Sequence, residues 1–483
     1  MLEALDRRTT LTGNQRRIVV AAVLGDMLEF FDYFLIGFVL AFVVGPWQLT
    51  FGQSAVILLS SGIGAMLGAV FWGRMADRIG RRPVFVATIL NFSIATGALA
   101  FTPDGGWLWL TAFRFVVGFG VGGLYCVDLP LVQEFMPKSK RGRIGGLVTS
   151  FIPVGTMLGA VLAALLAPLI GWRGLFAVGV LPALLVLLVR MWVPESPHWL
   201  LRQGRREEAR RSVAWALEVD PRSLPLPEAR STPPESDWRE LFRHPRSLAV
   251  SWLTNLGGQT GSYGLTLWAP TLFVLLLHVP PAQASSLMIL VTLGGLAGRF
   301  LFSWLSDGIG RRASGGLAGF AGAAFIVLAG LYHNEVLFGV SAFWLLLIAA
   351  YVFVDGGFAI IGPYAAEVWP ASLRTTGMGS AYGFGGIGKI IGPLGLALVV
   401  GSSNVIKPEA TVEQIVPAFL YLAGWFALVG VMFLFFGIET RGRSIGEIDR
   451  SLTGGAAAGA TVGVPAGAMA VTAEAARPPA VGA

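Results

Sequence analysis

The stretch "GRMADRIGRRP", residues 73–83, decides the fold, because its core returns as "DGIGRR" at 307–312. Each copy is a short charged turn that follows a long apolar run, 52–73 in the first case and 284–305 in the second. A second pair keeps the same order: "EFMPKSKRG" (134–142) returns as "EVWPASLRTTG" (367–377), sharing Glu-x-x-Pro-x-x-x-Arg. Two matches at nearly equal offsets indicate a duplicated unit whose copies run parallel to one another.

The spacing of apolar runs says what is duplicated. A helix crosses the hydrocarbon core in about 20 residues. Runs of that order lie near 18–44, 52–73, 83–101, 107–133, 144–168, 173–193, 247–276, 284–305, 314–332, 338–366, 376–400 and 415–437, which makes twelve. The composition agrees: 54% of the 483 residues are hydrophobic and only 13% are charged, far too little charge for the surface of a soluble protein this long. The predicted fold is therefore an all-α membrane protein of twelve transmembrane helices in two parallel-repeat halves. A net charge of +7 does not signal nucleic acid here, because the basic residues fall in clusters between apolar runs. Alternate connections carry them: Arg7, Arg8, Arg16 and Arg17; Arg74, Arg78, Arg81 and Arg82; Lys138, Lys140, Arg141 and Arg143; then the 194–246 loop, Arg311 and Arg312, Arg374, and Arg441 and Arg443. The opposite connections hold little beyond Arg173 and Lys407. Basic loops stay cytoplasmic, so both termini are expected inside, in a multi-pass protein of the plasma (inner) membrane.

This divides the chain into a cytoplasmic N-terminus (1–17), a six-helix half (18–193), a cytoplasmic linker with amphipathic helices (194–246), a second half (247–437) and a cytoplasmic tail (438–483). Within the linker "GRREEARRSVAWALEV" has amphipathic helical spacing. The tail beyond about 453 is Ala/Gly/Pro-biased and is expected to be disordered. A two-half architecture of this kind puts a small-molecule site between the halves at mid-membrane. Enzymatic chemistry finds no support. The four histidines fall in or near loops, Cys126 is the only cysteine, and no metal-ligand spacing appears. No metal or other cofactor is expected.

Charges inside the runs mark the working parts. Asp26, Glu29 and Asp32 sit three residues apart in the first run, so they form one stripe over an arc of about 120° and face a wet cavity rather than lipid. Asp128 falls in the inner part of the fourth run, where it either lines an inner path or caps helix packing. Asp355 lies within "FVDGGF" in the tenth and Lys389 within "GGIGKIIGP" in the eleventh. Lys389 is either the anchor of a substrate carboxylate, the reading preferred here, or the salt-bridge partner of Asp355. Gln259, Tyr263 and Tyr382, with Asp26 and Asp355, complete the substrate-site candidates, and Trp268 and Tyr364 are further rings that a substrate could meet. In this reading Arg114 and Lys389 are the mid-membrane cations.

The motifs resemble those of the major facilitator superfamily. "GRMADRIGRRP" is similar to its signature loop and "RFVVGFGVGG" to its fourth-span motif, while "PESPHWLLRQGRREEA" and "ETRGRSIGEI" look like the sugar-porter-type branch. That branch also holds aromatic-acid and nicotinate-like carriers, and "WAPTLF" (268–273) resembles them more than hexose carriers, whose Gln-Gln pair is here Gly257-Gly258. The resemblance implies that Asp32 pairs with Arg114 and exchanges a proton, with Glu29 sharing it. It also makes Asp77, Arg81, Glu134, Arg141, Asp307, Arg311, Glu367 and Arg374 a cytoplasmic gate. The expected function is a proton-coupled symporter of a small organic acid, aromatic carboxylates included, working as a monomer in the lipid bilayer on its substrate and protons. An organic cation or zwitterion is the alternative, and a sugar or polyol the third.

Overall fold

The structure, a computed structural model, describes residues 2–6, 8, 10–137, 140–181, 183–184, 192–226, 238–370 and 373–441. Among these, ten helices are long and apolar enough to cross a bilayer. They are Phe51–Ile79, Arg81–Leu99, Trp107–Leu124, Leu147–Val178, Pro245–Leu277, Pro281–Ile309, Arg311–Leu331, Ala342–Glu367, Thr376–Val400 and Thr411–Phe436, the second to fifth and seventh to twelfth of the expected spans. The first span is the helix Gly13–Val43; its 31 residues suffice to cross, and its three acids set it apart from the ten. The expected sixth span and the linker each fall partly outside the described residues, and the tail beyond 453 lies wholly outside them.

Local sequence explains where helices begin. Thr12 and Thr50 each open one with a capping box, the threonine oxygen accepting from Gln15 or Gln53 while the glutamine side chain returns to the threonine N–H. The glycines then fix how closely helices approach. A Cβ at Gly118 or Gly122 would overlap the main chain of Ser61 or Ala65, which locks the fourth helix against the second. The second half repeats the device, with Gly298 of the eighth helix against the main chain of Val352 in the tenth. The amphipathic stretch folds as Arg206–Leu217, burying Ala209, Val213, Ala216 and Leu217. It is tied to the start of the first helix by Thr12 and Asn14, which donate to the carbonyls of Ala216 and Trp215.

The two halves approach backbone to backbone on the face away from the arginine clusters. A Cβ on Gly37 of the first helix would lie 2.9 Å from the Leu267 carbonyl oxygen of the seventh, and one on Gly62 of the second 3.0 Å from that of Lys389 in the eleventh. Outside these, the main chain itself pairs across the halves. The N–H groups of Phe51 and Gly52 donate to the carbonyls of Asn404 and Ser402, at 2.9 and 2.8 Å, and the Ile406 N–H donates to Leu49 at 2.8 Å. Thr50 and Val405 face each other in an antiparallel bridge, and Phe51 stacks on Trp268 beneath it. That face is shut.

Facing residues of an antiparallel bridge have Cα atoms about 4.5–5.5 Å apart, within disulfide range. The pair Thr50→Cys and Val405→Cys, made with Cys126→Ser, should therefore cross-link under mild oxidation. Cross-linking should abolish transport and reductant should restore it. Ready cross-linking with undiminished transport would show that this contact need not open.

Candidate functional site

A cavity of about 380 Å³ lies between the halves. Phe30 and Phe34 of the first helix, Tyr263 of the seventh, Phe358 of the tenth and Tyr382 of the eleventh give it rings. Asn255, Gln259, Thr266, Tyr351, Arg299 and Asp355 give it polar groups, and Gln133, Thr149 and Glu367 line it toward the arginine-rich face. Gln259 is buried with neither amide atom hydrogen-bonded within the protein, leaving both its donor and its acceptor capacity for an occupant. The substrate candidates Gln259, Tyr263, Asp355 and Tyr382 are thus brought together on one wall system. Asp26 is 1% exposed and is not among the lining residues.

The cavity's closed end is aromatic. Tyr33 meets Tyr263 edge-on at 5.4 Å, and Phe34 lies 5.3 Å from the same ring. Lys389 sits against this group, its Nζ 5.1 Å from the centre of the Tyr263 ring and 5.7 Å from those of Tyr33 and Tyr382. This is a cation–π cage. Lys389 does not line the cavity; the Tyr263 and Tyr382 rings that it touches do. Trp268 instead donates to the Pro393 carbonyl, and the Tyr364 hydroxyl bonds to Ile438, so neither ring belongs to the cavity.

Asp355 corrects the sequence reading. Its partner is Arg299 of the eighth helix, not Lys389: Nε donates to Oδ2 at 3.1 Å and Nη2 to Oδ1 at 3.0 Å, a bidentate pair. The third donor, Nη1, reaches across the half interface to the Thr149 carbonyl at 2.7 Å. The sequence hides Arg299 because it sits inside "LGGLAGRFLF", a run apolar enough to absorb one charge. Among the described residues Arg299 joins Arg114 and Lys389 as a cation within the spans.

Asp32 and Arg114 are adjacent, but not as a carboxylate–guanidinium pair. Arg114 directs Nη1 to the Asp32 main-chain carbonyl at 3.0 Å, Nη2 to that of Tyr33 at 2.6 Å, and Nε to the Ser61 hydroxyl at 3.0 Å. The Asp32 carboxylate accepts instead from Thr96 of the third helix, at 2.6 and 2.7 Å. A hydroxyl one helix away satisfies the acid locally, which leaves the longer arginine side chain to span to the backbone. Both residues are fully buried and neither lines the cavity; Glu29 is 2% exposed and does not line it either.

The motif residues form two matched clusters at the arginine-rich face. In the first half Arg81 binds Glu134 at 2.8 Å, and the Ser196 hydroxyl donates to the same glutamate. In the second, Arg311 bridges Asp307 at 2.7 Å and Glu367 at 3.4 Å, and Thr440 donates to Glu367. Neighbouring glutamates complete each cluster. Glu195 accepts from the N–H groups of Arg81 and Arg82, and Glu439 from those of Arg311 and Arg312, capping the helices that begin there. Gly80 and Gly310 adopt positive φ at these turns, and a Cβ on either would strike the capping carboxylate. Burial raises Glu195 above its ordinary range, with Glu134 adding to it against the N–H donors. Burial also works to raise Glu439, but N–H donors from Arg441, Arg311, Arg312 and Thr440 prevail and hold it below that range. Arg374 donates to the carbonyls of Ala366 and Trp369, Asp77 is exposed, and the Asp128 and Arg141 side chains lie outside the described residues.

Comparison with known proteins agrees with this architecture. Residues 18–452 match the family described as sugar (and other) transporter. The niacin transporter NiaP of Acinetobacter baylyi is 34% identical over 378 residues, 77% of this chain and 84% of that protein. An organic cation/carnitine transporter of Arabidopsis thaliana is 27% identical over 89% of this chain and 92% of its own. The inward-open xylose transporter XylE from E. coli superposes with a TM-score of 0.68 at 17% identity, over 90% of this chain and 99% of that one.

The helix-capping role of Glu439 has a pH signature. Its folded-state pKa lies below the unfolded value, so its contribution is present above the ordinary carboxyl range and lost as pH falls through the folded value. Glu439→Gln should cost about 1 kcal/mol at neutral pH. The melting curves of wild type and variant should converge as pH falls through the lowered folded-state value of Glu439. A gap that persists in acid would contradict the charge-based cap.

Proposed function

Because the chain belongs to the sugar (and other) transporter family of the major facilitator superfamily, we propose that it carries a small organic acid, aromatic carboxylates included, by alternating access and together with protons. The observation that carries this reading is the cavity wall, where aromatic rings and a guanidinium share one space of about 380 Å³. A planar ring leaving water gains from offset or edge contacts with Phe30, Phe34, Tyr263 and Tyr382. Its carboxylate needs a charged partner to leave water at all, and Arg299 faces the cavity while Lys389 backs its closed end. The relative from Acinetobacter baylyi is named for niacin, a pyridine carboxylate, which fits both demands.

Coupling to protons needs a carboxyl that changes partners between conformations. Asp32 has Thr96 to lose, beside Arg114 and Glu29, and Asp355 has Arg299. The gate clusters at Glu134 and Glu367 would hold each half's helix ends together and exchange partners as the halves rock. The basic connections orient that face to the cytoplasm, in the plasma membrane. An organic cation is the second reading, favoured by the carboxyls of Asp355 and Glu367 on the wall and by the Arabidopsis relative's name. Against it, both acids already hold arginines.

Proteoliposomes with a pH dye inside test the class. Under an inward proton gradient, nicotinate or benzoate should acidify the lumen beyond protein-free liposomes, and quaternary amines and hexoses should not. Lys389→Met removes a cation that backs the cavity's closed end without touching it, and should lower the acid's kcat/KM about threefold through lost longer-range attraction. Transport of amines alone, untouched by Lys389→Met, would overturn the organic-acid reading.

A further inference from the structure

We propose that Arg299 is the group that receives the substrate carboxylate, and that Asp355, displaced from it, takes up the coupled proton. This rests on the organic-acid reading above and adds a site and an exchange step to it.

The pair is built for exchange. Both side chains line the cavity, and they expose 9% and 16% of their surfaces to it. The guanidinium carries five N–H donors, of which Asp355 takes two and the Thr149 carbonyl one, so edges remain for a second carboxylate. Asp355 stands where the tenth span breaks, between Ala342–Val354 and Phe358–Glu367, at "DGG". Thr149 stands near a second break, between Arg141–Ser150 and Ile152–Val178. Arg299 therefore ties a discontinuity in one half to a discontinuity in the other. Helix breaks are where backbone can move without losing a continuous ladder of hydrogen bonds.

The exchange balances without any covalent step. An incoming carboxylate, still ionised, takes the guanidinium's Nε and Nη2 donors. Asp355 loses its cation in a poorly solvated wall and binds one proton from cavity water. One negative charge and one proton have entered together, and the wall's net charge is unchanged. Few groups compete for the proton. Facing Asp355 are Arg299 from the eighth helix, whose Nη1 holds the Thr149 carbonyl, and Tyr351 on its own helix, and among the described residues Glu367 is the other acid lining the cavity. The ninth helix packs behind with its arginines, Arg311 and Arg312, at its far end. The guanidinium that makes this exchange also holds the Thr149 carbonyl of the other half through Nη1, so that occupancy and the half interface share one residue.

The other buried charges serve this step less well. Asp32 is sealed from the cavity, and the Arg114 donors described above rest on two carbonyls and a hydroxyl. Lys389 sits behind the Tyr263 and Tyr382 rings rather than on the wall.

The test uses the full-length purified protein in weakly buffered detergent near pH 7, with nicotinate and benzoate as probes and a pH indicator as readout. Wild type should take up about one proton per carboxylate bound. Asp355→Asn should bind the probe with proton uptake lost and its affinity nearly independent of pH. Arg299→Lys should bind at least about tenfold more weakly while melting near the wild-type temperature, since an ammonium cannot offer the bidentate edge. Should Asp355→Asn not fold, Asp355→Glu keeps the carboxyl and should keep the uptake. Proton uptake that survives in Asp355→Asn, or that is lost in Asp32→Asn while Asp355→Asn retains it, overturns the proposal. Wild-type binding without proton uptake overturns it alone and leaves the organic-acid reading standing. No carboxylate binding by the wild type overturns both.

Discussion

An arginine cannot shed its charge at any ordinary pH, so one placed within a membrane must find an acceptor for most of its donors. That constraint organises this protein twice. Arg114 meets it with the carbonyls of Asp32 and Tyr33 and the Ser61 hydroxyl, which fastens the fourth helix to the first and second. Arg299 meets it with Asp355 and with a carbonyl from the other half. The first arrangement is internal to one half and closed to the cavity. The second crosses the half interface and faces the cavity, so it is the one that an arriving anion can disturb.

Around these fixed charges the chain distributes rigidity and freedom. Within each half, glycines let helix backbones interlock, as Gly118 does on Ser61 and Gly298 on Val352, and a rigid body results. Between halves, on the face away from the arginines, the contact is Gly37 on Leu267 and a few main-chain hydrogen bonds near Thr50. Such hydrogen bonds contribute about 1 kcal/mol each and can be exchanged for water. The second strong device, the Glu134 and Glu367 clusters with their capping glutamates, lies within each half. Strong ties inside and weaker ties between suit the proposed rocking of two bodies about a site.

The sequence reveals the scaffold more readily than the site, for physical reasons. Repeated turns such as "DRIGRR" and "DGIGRR" are local, and alternating basic loops reflect a one-dimensional rule, so halves and spans are legible from letters alone. Charge partners are not. Asp355 and Arg299 lie 56 residues apart on different helices, and hydropathy averaged over a span hides one arginine among leucines, alanines and phenylalanines. Thr96, which holds Asp32, carries no signal that separates it from any other buried threonine. The tyrosine cage of Lys389 draws on three helices and exists only after they pack. Glu195 and Glu439 were visible as parts of motifs, yet their task as caps depends on turns that bring Arg81 and Arg311 beneath them.

In the proposed exchange a carboxylate and a proton cross together, with no net charge. The direct measurement is nicotinate uptake into proteoliposomes at fixed pH gradient, with the membrane potential clamped by potassium and valinomycin. The account predicts that the initial rate is the same at zero potential and at an inside-negative potential. A rate that rises or falls severalfold with the potential would mean that charge moves with the substrate, and would contradict it.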